Sequence, residues 1–402
     1  MIKKVSSLAA VISFVVSITG SVHAEVKIGA LMPFTGDLQA YGPQCYTGVQ
    51  LAVKEVNVAG GIMGETVKLL KADTQTASQP AIDAAKKLIS VDRVAGIVGA
   101  LASGNTIPVG LSVAAVEGTP IVSNASTSPE ITGLKDNDFV FRTVPTDAVQ
   151  GIALANIVLE QGVKKVAIIY RNDDYGVGLN DAFSKAFSAS GGNVTSSLAY
   201  EKGQASYRAE LNRLGQSGAE RLLVIGFPEN GNTIVRQALE EGFFDKFIFT
   251  DGMQSQNVID TVGAESLEGA FGTSPAAQES VARDTFRSAF EANFGKLPNE
   301  PFIDTAYDAA MLLMLGIEKS GSTEGAKVRD AMRTFADGSG EKVGPGEWSK
   351  AVKLIRAGKN VDYVGASGPV DFDAQGDVAG TYAHWVYEGG NIVTKKVFAP
   401  EM

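Results

Sequence analysis

Two periodicities of apolar and polar residues alternate along the first part of the chain. Short apolar runs typical of buried strands recur at residues 26–32, 67–72, 94–98 and 120–123. The segments between them are predicted as helices, at residues 42–58, 80–90 and 107–116. In the first of these, Tyr46, Val49 and Val53 follow at spacings of three and four, which gives the helix one apolar face. Strict alternation of strand and helix predicts a parallel sheet covered on both faces.

The same alternation restarts after an apolar run at residues 139–143. Strands are predicted at residues 165–170, 193–200, 221–227 and 246–251. Helices are predicted at residues 147–160, 178–190, 206–217 and 231–241, the first with Asp147 as its N-cap. This is a second parallel α/β unit. No strong sequence repeat relates it to the first.

The last third of the chain is mainly helical. Helices are predicted at residues 283–294, 303–319, 324–336 and 348–357. Strands are predicted at residues 368–373, 382–387 and 392–398, the last two forming a hairpin at Gly389 and Gly390. Helices without strands cannot form a third α/β unit. We therefore expect them to cover the first unit, and the final strands to join the second.

This arrangement predicts two lobes joined by three crossings of the chain, near residues 145, 275 and 367. Lobe 1 would contain residues 25–145 and 276–366, and lobe 2 residues 146–275 and 367–402. Three parallel crossings form a hinge, which places a ligand in the cleft between the lobes.

The first 24 residues have the features of a secretory signal peptide. Lys3 and Lys4 precede an apolar core at residues 5–18, and Val22 and Ala24 are the small residues of a cleavage site. We predict cleavage after Ala24 and export to the periplasm. The apolar run is shorter than the ~20 residues that a membrane span needs. The chain has 402 residues, of which 45% are hydrophobic and 20% are charged. This composition and length suit two soluble domains.

Charge and residue usage exclude several functions. The signal peptide carries two lysines and no acid, so its removal changes the net charge from −10 to −12. This net negative charge argues against nucleic acid or an anionic membrane as a partner. Cys45 is the only cysteine and cannot form an internal disulfide, and His384 is the only histidine outside the signal peptide. We predict no metal and no cofactor.

An amide or ester hydrolase with Ser103 as nucleophile is the alternative class. Ser103 has no recognisable histidine partner, and the chain lacks a Gly-x-Ser-x-Gly elbow and a phosphate-binding loop. The sequence therefore favours a binding protein over an enzyme.

Small and hydroxyl residues follow the strand that ends before residue 99. Ser103, Asn105 and Thr106 can each cap the next helix, and free N–H groups at such a turn attract an anion. Residues 99–106 are thus a candidate site for a ligand carboxylate, or an ordinary capped helix start.

Ligands of open parallel sheets bind beyond the carboxyl ends of the strands. The loops at those ends are residues 33–42, 99–106 and 124–129 in the first unit, and 172–176, 227–231 and 251–253 in the second. The first set offers hydroxyls and N–H groups, whereas the second offers the acids Asp173, Asp174, Glu229 and Asp251, with Tyr175. A ligand between these two sets of loops would meet hydrogen-bond donors on one side and acids on the other, which suits a zwitterion.

These segments, in this order, resemble the periplasmic leucine/isoleucine/valine-binding proteins. The resemblance rests on residues 27–36, 40–42, 57–61, 99–106, 125–130, 174–176 and 226–229, with Gly48, Arg142, Thr143 and Asp147. It implies a type I periplasmic-binding fold, an α/β fold of two lobes. Each lobe has a central parallel sheet flanked by helices, and three strands form the hinge. It also implies delivery of the ligand to the membrane permease of an ABC transporter. We expect a monomer.

The resemblance assigns roles to nine residues. Ser103 and Thr127 match hydroxyls that bind the ligand α-carboxylate, and Ala125 matches a backbone contact at the amino group. Tyr175 and Asp251 match partners of the ligand head group, with Asp251 opposite the ammonium. The apolar walls around the ligand side chain would be Tyr41, Leu101, Phe227 and Phe302.

Some positions depart from the family pattern. Asp251 stands in place of a longer glutamate, Ser126 in place of alanine and Phe227 in place of tyrosine, while Gly104 and Asn105 replace serines. The expected ligand is a neutral aliphatic amino acid of the leucine, isoleucine and valine type. The alternatives are alanine, proline, γ-aminobutyrate, an aromatic acid or a small amide.

Overall fold

The computed structural model of the protein describes residues 25–401. The predicted signal peptide and its cleavage site lie outside the described residues. Two large sheets organise the fold, one of five strands and one of seven. We use lobe 1 and lobe 2 for the units built around these two sheets.

The sheet of lobe 1 is entirely parallel, with the strand order β2-β1-β3-β4-β5. Its strands are β1 Val26–Met32, β2 Val67–Asp73, β3 Ile97–Gly99, β4 Ile121–Ser123 and β5 Val140–Arg142. The helices between them are α1 Gly42–Val58, α2 Ser78–Lys86, α3 Ser103–Val109 and α4 Ala115–Glu117. Short π-helical segments at Lys87–Val91 and Gly110–Ala114 continue α2 and α3. Strands β3, β4 and β5 are buried at every position, as expected for a parallel sheet covered on both faces.

The second unit repeats the alternation. Its helices are α5 Asp147–Glu160, α6 Asp174–Ala189, α7 Arg208–Gly215, α8 Pro228–Glu240, α9 Gln256–Val262 and α10 Ala264–Leu267. Its strands are β6 Lys165–Arg171, β7 Asn193–Tyr200, β8 Arg221–Ile225, β9 Phe247–Phe249 and β10 Phe271–Pro275.

The rest of the chain is divided between the two lobes. Its helices are α11 Val281–Phe294, α12 Ile303–Ser320, α13 Gly325–Arg333 and α14 Trp348–Arg356. Its strands are β11 Glu341–Val343, β12 Val361–Gly365, β13 Gly368–Pro369, β14 Tyr382–Glu388 and β15 Asn391–Phe398. Helix α12 packs on α1 so closely that a Cβ on Gly48 would lie 2.3 Å from the Ile303 carbonyl oxygen.

The terminal hairpin extends the sheet of lobe 2. Strand β14 pairs antiparallel with β10 and with β15, giving the order β15-β14-β10-β9-β8-β6-β7. Strands β11, β12 and β13 form a separate small sheet. The helices that follow β10 therefore cover lobe 1, and the hairpin of β14 and β15 joins lobe 2, as the pattern predicts. The strand predicted at residues 368–373 does not join lobe 2: only residues 368–369 form a strand, β13, and it pairs with β12 in the small sheet. The lobe boundaries near residues 145, 275 and 367 stay a prediction.

Local differences from the predicted elements have physical causes. The helix predicted from residue 107 begins at Ser103 with Ala102 as its N-cap, so the N-cap role expected for Ser103, Asn105 or Thr106 is wrong. Thr106 Oγ1 instead accepts a hydrogen bond from Ala100 N at 3.0 Å. Likewise Thr146, and not Asp147, caps α5.

Between residues 25 and 401, the fold contains no helix that combines the length and the apolar composition of a membrane span.

Candidate functional site

A cavity lies where the carboxyl ends of the two large sheets face each other. Its volume is about 20 Å³, far below that of an ordinary ligand pocket. Of the nine residues assigned by resemblance, eight line it: Tyr41, Leu101, Ser103, Ala125, Tyr175, Phe227, Asp251 and Phe302. All eight are buried, and they come from both lobes. A larger groove on the surface of α5 and α6 contains none of the nine.

The lobe 1 side of the cavity is formed by the turn after β3. Leu101 has a φ of +71°, and Gly99 has a φ of +140°. A Cβ on Gly99 would lie 2.0 Å from the Leu31 carbonyl oxygen, so only glycine fits there. At the start of α3, Ser103 Oγ accepts from Ser128 N at 3.1 Å. The Ser103 hydroxyl proton is thereby directed to another acceptor, such as a ligand carboxylate.

Ser126 does not add a polar group to the cavity. Its hydroxyl donates to the Leu101 carbonyl oxygen at 3.0 Å and lies 2.7 Å from Thr106 Oγ1. Ser126 thus stabilises the turn through hydrogen bonds on the side away from the cavity, and its presence in place of alanine does not alter the cavity wall.

Asp251 lies two residues after the end of lobe 2 strand β9 at Phe249, and it supplies the negative charge. Its Oδ1 accepts from Tyr175 Oη at 2.9 Å and from Gln150 Nε2 at 2.7 Å. Both of these side chains donate to Oδ1, and the backbone N–H groups of Asp251 and Gly252 also face the carboxylate. No described side chain donates to Oδ2, which leaves that oxygen available to a ligand. Burial raises the pKa of Asp251 to about 6, although the hydrogen bonds from Gln150 and Tyr175 lower it. A cationic ligand group would stabilise the charged form.

Aromatic rings form most of the remaining wall. Phe227 stacks on Tyr175 with ring centroids 5.3 Å apart, and the Arg171 guanidinium lies 4.8 Å from the Phe227 centroid. Tyr41 from lobe 1 donates to the backbone oxygen of Asp251 at 3.1 Å. Phe302 is the N-cap of α12, with a φ of +79°. The apolar part of a ligand would contact these rings and Leu101.

Thr127 is the exception among the nine. It is buried next to the cavity but does not line it, and its hydroxyl has no hydrogen-bond partner among the described residues. Its carbonyl oxygen accepts from Asp147 N at 2.7 Å. The structure therefore places Thr127 behind the wall, beside the start of α5.

Several residues near the cavity were missed by sequence reasoning. Gln150 binds Asp251, and Arg171 supports Phe227 and pairs with Asp37 of lobe 1 at 2.5 Å. A signal for Gln150 existed, because α5 also starts after the carboxyl end of a strand, β5. Arg171 had no such signal, since its partner lies 134 residues away in the chain.

Hydrogen-bonding side chains and apolar walls line this cavity. Within residues 25–401, no group of three or more His, Cys, Asp or Glu side chains is placed to hold a metal ion. Ser103 contacts a backbone N–H, while His384 lies in β14 with its ring against Phe271.

Two parallel α/β lobes with a buried, polar-ended cavity between them define a two-lobed ligand-binding protein. Residues 25–383 match the periplasmic binding protein family, and the chain belongs to this family. It is 33% identical to the Leu/Ile/Val-binding protein BraC3 of Rhizobium johnstonii, over 76% of this chain and 82% of that protein. It is 30% identical to Leu/Ile/Val-binding protein homolog 3 of Brucella melitensis, over 80% of this chain and 86% of that protein.

A solved structure shares the architecture. The leucine binding protein of Thermotoga maritima superposes with a TM-score of 0.80 at 26% identity, covering 93% of this chain and 99% of that one. This likeness agrees with the two-lobed type I fold expected from the sequence.

Proposed function

We propose that the protein binds a neutral aliphatic amino acid of the leucine, isoleucine and valine type in the cavity between its lobes. It then delivers this ligand to the membrane permease of an ABC importer. One observation gives this proposal its main support. Both lobes contribute to one buried cavity with apolar walls, which is lined by the carboxylate of Asp251 and the hydroxyl of Ser103. The names of the relatives support the ligand class.

Each part of a zwitterionic amino acid has a partner. The ligand carboxylate accepts from Ser103, and its ammonium donates to Asp251 Oδ2 and to the Ala125 backbone. Charge-assisted hydrogen bonds of this kind are about twice as strong as neutral ones. Tyr41, Leu101, Phe227 and Phe302 enclose the side chain. Because the two ends bind different lobes, the ligand stabilises the closed arrangement.

The protein performs this role as an exported monomer and not as an enzyme. Its signal peptide is cleaved after Ala24, and it acts in the periplasm without a cofactor. The two lysines and the apolar core of residues 5–18 support export.

A smaller amino acid is the second candidate. The cavity is small, and Asp251 is one methylene shorter than the glutamate it replaces, so alanine, proline or γ-aminobutyrate also deserve testing. An aromatic acid or a small amide lacks the ammonium, and its binding would not depend on Asp251.

Thermal shift and calorimetry on residues 25–402 test this proposal. The protein is unfolded, dialysed and refolded to remove any retained ligand. It is then screened with the standard amino acids, γ-aminobutyrate, benzoate and acetamide. We expect leucine, isoleucine and valine to raise Tm, because a ligand of the folded state stabilises it. A folded protein that binds no amino acid would refute the proposed ligand class.

A further inference from the structure

A second buried carboxylate lies close to Asp251. Asp147 begins α5 and is fully buried. Among residues 25–401 its carboxylate meets no donor in good hydrogen-bond geometry, although the Thr127 hydroxyl lies close enough to lower its pKa. Gln150 is three residues further along α5 and so lies on the same face of the helix. Since Gln150 donates to Asp251 Oδ1 at 2.7 Å, this face of α5 is directed at Asp251.

Thr127 connects this face with the cavity. Asp147 N donates to the Thr127 carbonyl oxygen at 2.7 Å. The buried Thr127 hydroxyl faces the Asp147 carboxyl and lowers its pKa, without meeting the geometry of a full hydrogen bond. Thr127 is two residues after Ala125, which lines the cavity. The two carboxyl groups and this hydroxyl therefore form one buried polar cluster at the Asp251 end of the cavity.

No cation of the described residues neutralises the cluster. Arg142 faces Asp147 from β5, but its guanidinium donates twice to Asp377, at 2.6 and 2.7 Å, and to the Ser128 carbonyl oxygen at 2.9 Å. The other titratable groups that face the pair are the buried phenols Tyr41, Tyr175 and Tyr382. Burial raises the pKa of Asp147 well above its ordinary value, and the charge of Asp251 raises it further. Two buried carboxylates, one of which raises the pKa of the other, do not both ionise readily without a cation.

We propose that Asp147 and Asp251 together form the ammonium end of the site, that this pair of carboxyl groups holds one proton in the ligand-free protein, and that the pair releases it when a cationic amine binds. This inference rests on the proposed amino-acid ligand and specifies its head group. The ammonium enters the cavity and one proton leaves the pair for solvent, so the charge at this end of the site stays at −1. Because the ligand also carries its carboxylate, the complex as a whole is one unit more negative than the ligand-free protein. Asp147 is a positioning residue, because it acts on the ligand through Asp251 and Thr127.

The proposal makes affinity depend on pH in one direction. While the pair keeps its proton, each ligand bound releases up to one proton, so the association constant rises up to tenfold per pH unit. An aromatic acid or a small amide brings no positive charge and releases no proton from the pair. Proton release therefore distinguishes the ligand classes.

The test is calorimetry with L-leucine and L-alanine in buffers of different ionisation enthalpy, at pH 6 and pH 8. The heat difference between buffers gives the number of protons released. We expect release approaching one proton per ligand at pH 6, and less at pH 8. Binding of either amino acid without proton release at both pH values overturns the inference and leaves the proposed function standing. Absence of binding overturns both.

Asp147→Asn provides the second measurement. The amide cannot share the proton, so we expect proton release to disappear and affinity at pH 8 to fall about tenfold. The ligand-free variant should remain folded with an unchanged or higher Tm, because a buried repulsion is removed. Asp284→Asn, on the exposed face of α11, is the matched control and should retain the wild-type release. A folded Asp147→Asn with wild-type affinity and proton release would contradict the proposal; if this variant does not fold, the wild-type measurement decides.

Discussion

The two carboxylate oxygens of Asp251 have different roles: one is held by side chains of the protein, and the other is available to a ligand. Tyr175 and Gln150 occupy its Oδ1, and this fixes the carboxylate so that Oδ2 is presented to the cavity. Burial without a cationic partner leaves the charge poorly stabilised. A ligand ammonium is therefore the group that this residue is best suited to bind.

Replacing Asp251 tests this view. In Asp251→Asn one amide oxygen can still accept from Tyr175 and Gln150, while the NH₂ group faces the ligand ammonium. A hydrogen bond to a charged group contributes about 1.5–3 kcal/mol, so we expect amino-acid affinity to fall about 10- to 100-fold. Titration calorimetry measures the change. Asp260→Asn, an exposed acid on α9 of the same lobe, is the control and should bind normally. Unchanged affinity in a folded Asp251→Asn would point to a ligand without an amine.

Site residues that follow the end of a strand could be predicted from the sequence. Residues whose role depends on tertiary contacts could not. Ser103 and Asp251 could be found because each follows the carboxyl end of a strand. Asp147 was interpreted only as a helix cap, because its burial beside Asp251 depends on how α5 packs. Arg171 was missed for a similar reason, since its contact with Asp37 exists only once two lobes meet.

At the scale of elements, the turn between β3 and α3 determines the shape of the lobe 1 wall. The chain approaches β1 so closely at Gly99 that no side chain fits. This approach sets where the turn leaves the sheet, and therefore where Leu101 and Ser103 enter the cavity. The turn is a rigid part of the cavity because its backbone is packed against the sheet.

Gly99→Ala should disturb both the fold and the site. The new Cβ would meet the Leu31 carbonyl oxygen at 2.0 Å, and the φ of +140° is unfavourable for alanine. We expect the free energy of unfolding to fall by about 1–3 kcal/mol, measured by urea denaturation. Gly133→Ala is the control, since a Cβ there meets nothing within 4 Å and its φ is not positive. Equal stability of the two variants would show that the turn relaxes freely.

Helix α12 is tied to the segment after β12 through a buried carboxylate. Asp308 accepts hydrogen bonds from Tyr363 Oη and Ala366 N at 2.8 Å, from Ser367 N at 2.7 Å and from Ser367 Oγ at 2.6 Å. Burial nevertheless raises the pKa of Asp308 to about 6. The carboxylate thus links two elements near the predicted crossing at residue 367.

The Asp308 link predicts a pH-dependent stability. The folded-state pKa lies above that of an unfolded aspartate, about 4, so the free energy of unfolding falls as pH rises from 4 to 6. Asp308→Asn removes this contribution but also an acceptor, so we expect lower stability at pH 5 and a weaker pH dependence. Urea unfolding at pH 4.5 and 7 measures both. The exposed control Asp284→Asn should keep the wild-type slope, and an unchanged slope in Asp308→Asn would contradict the prediction.

Long periodic elements were easier to predict than short ones. The spacing of three and four gave α1 at its observed bounds, because one continuous face of that helix is buried. Strand β10 was missed, since its sequence contains glycine, serine and proline and becomes a strand only through its neighbours β9 and β14. Whether a segment of this kind forms a strand depends on its pairing with neighbouring strands in the folded protein.

At the scale of the whole molecule, side chains link the lobes around the cavity. Arg171 at the end of β6 pairs with Asp37 of lobe 1 at 2.5 Å, and Lys202 donates to the Thr76 carbonyl oxygen at 3.3 Å. The Arg171 side chain is only 4% exposed, so this pair is shielded from solvent. These contacts favour the closed arrangement directly, in addition to any ligand.

Asp37→Asn should therefore weaken ligand binding although Asp37 does not line the cavity. Arg171 keeps Asp173 as a partner at 2.5 Å, so the substitution leaves no buried charge unpaired. Loss of one partly buried charged contact corresponds to about 1.5 kcal/mol, or roughly tenfold in affinity. We expect this loss as faster dissociation in stopped-flow measurements, because the lobes separate more easily. Small-angle scattering of the ligand-free variant should show a larger mean radius of gyration.

The comparison that isolates lobe closure is Glu240→Gln. Glu240 also pairs with an arginine, Arg208, at 2.7 Å, but both residues lie in lobe 2 and the pair is exposed. Removing it changes the same kind of interaction without affecting the contact between lobes, so its dissociation rate should equal that of the wild type. If Asp37→Asn and Glu240→Gln dissociate alike, the Arg171 pair does not hold the lobes together, and closure depends on the ligand and the remaining interlobe contacts.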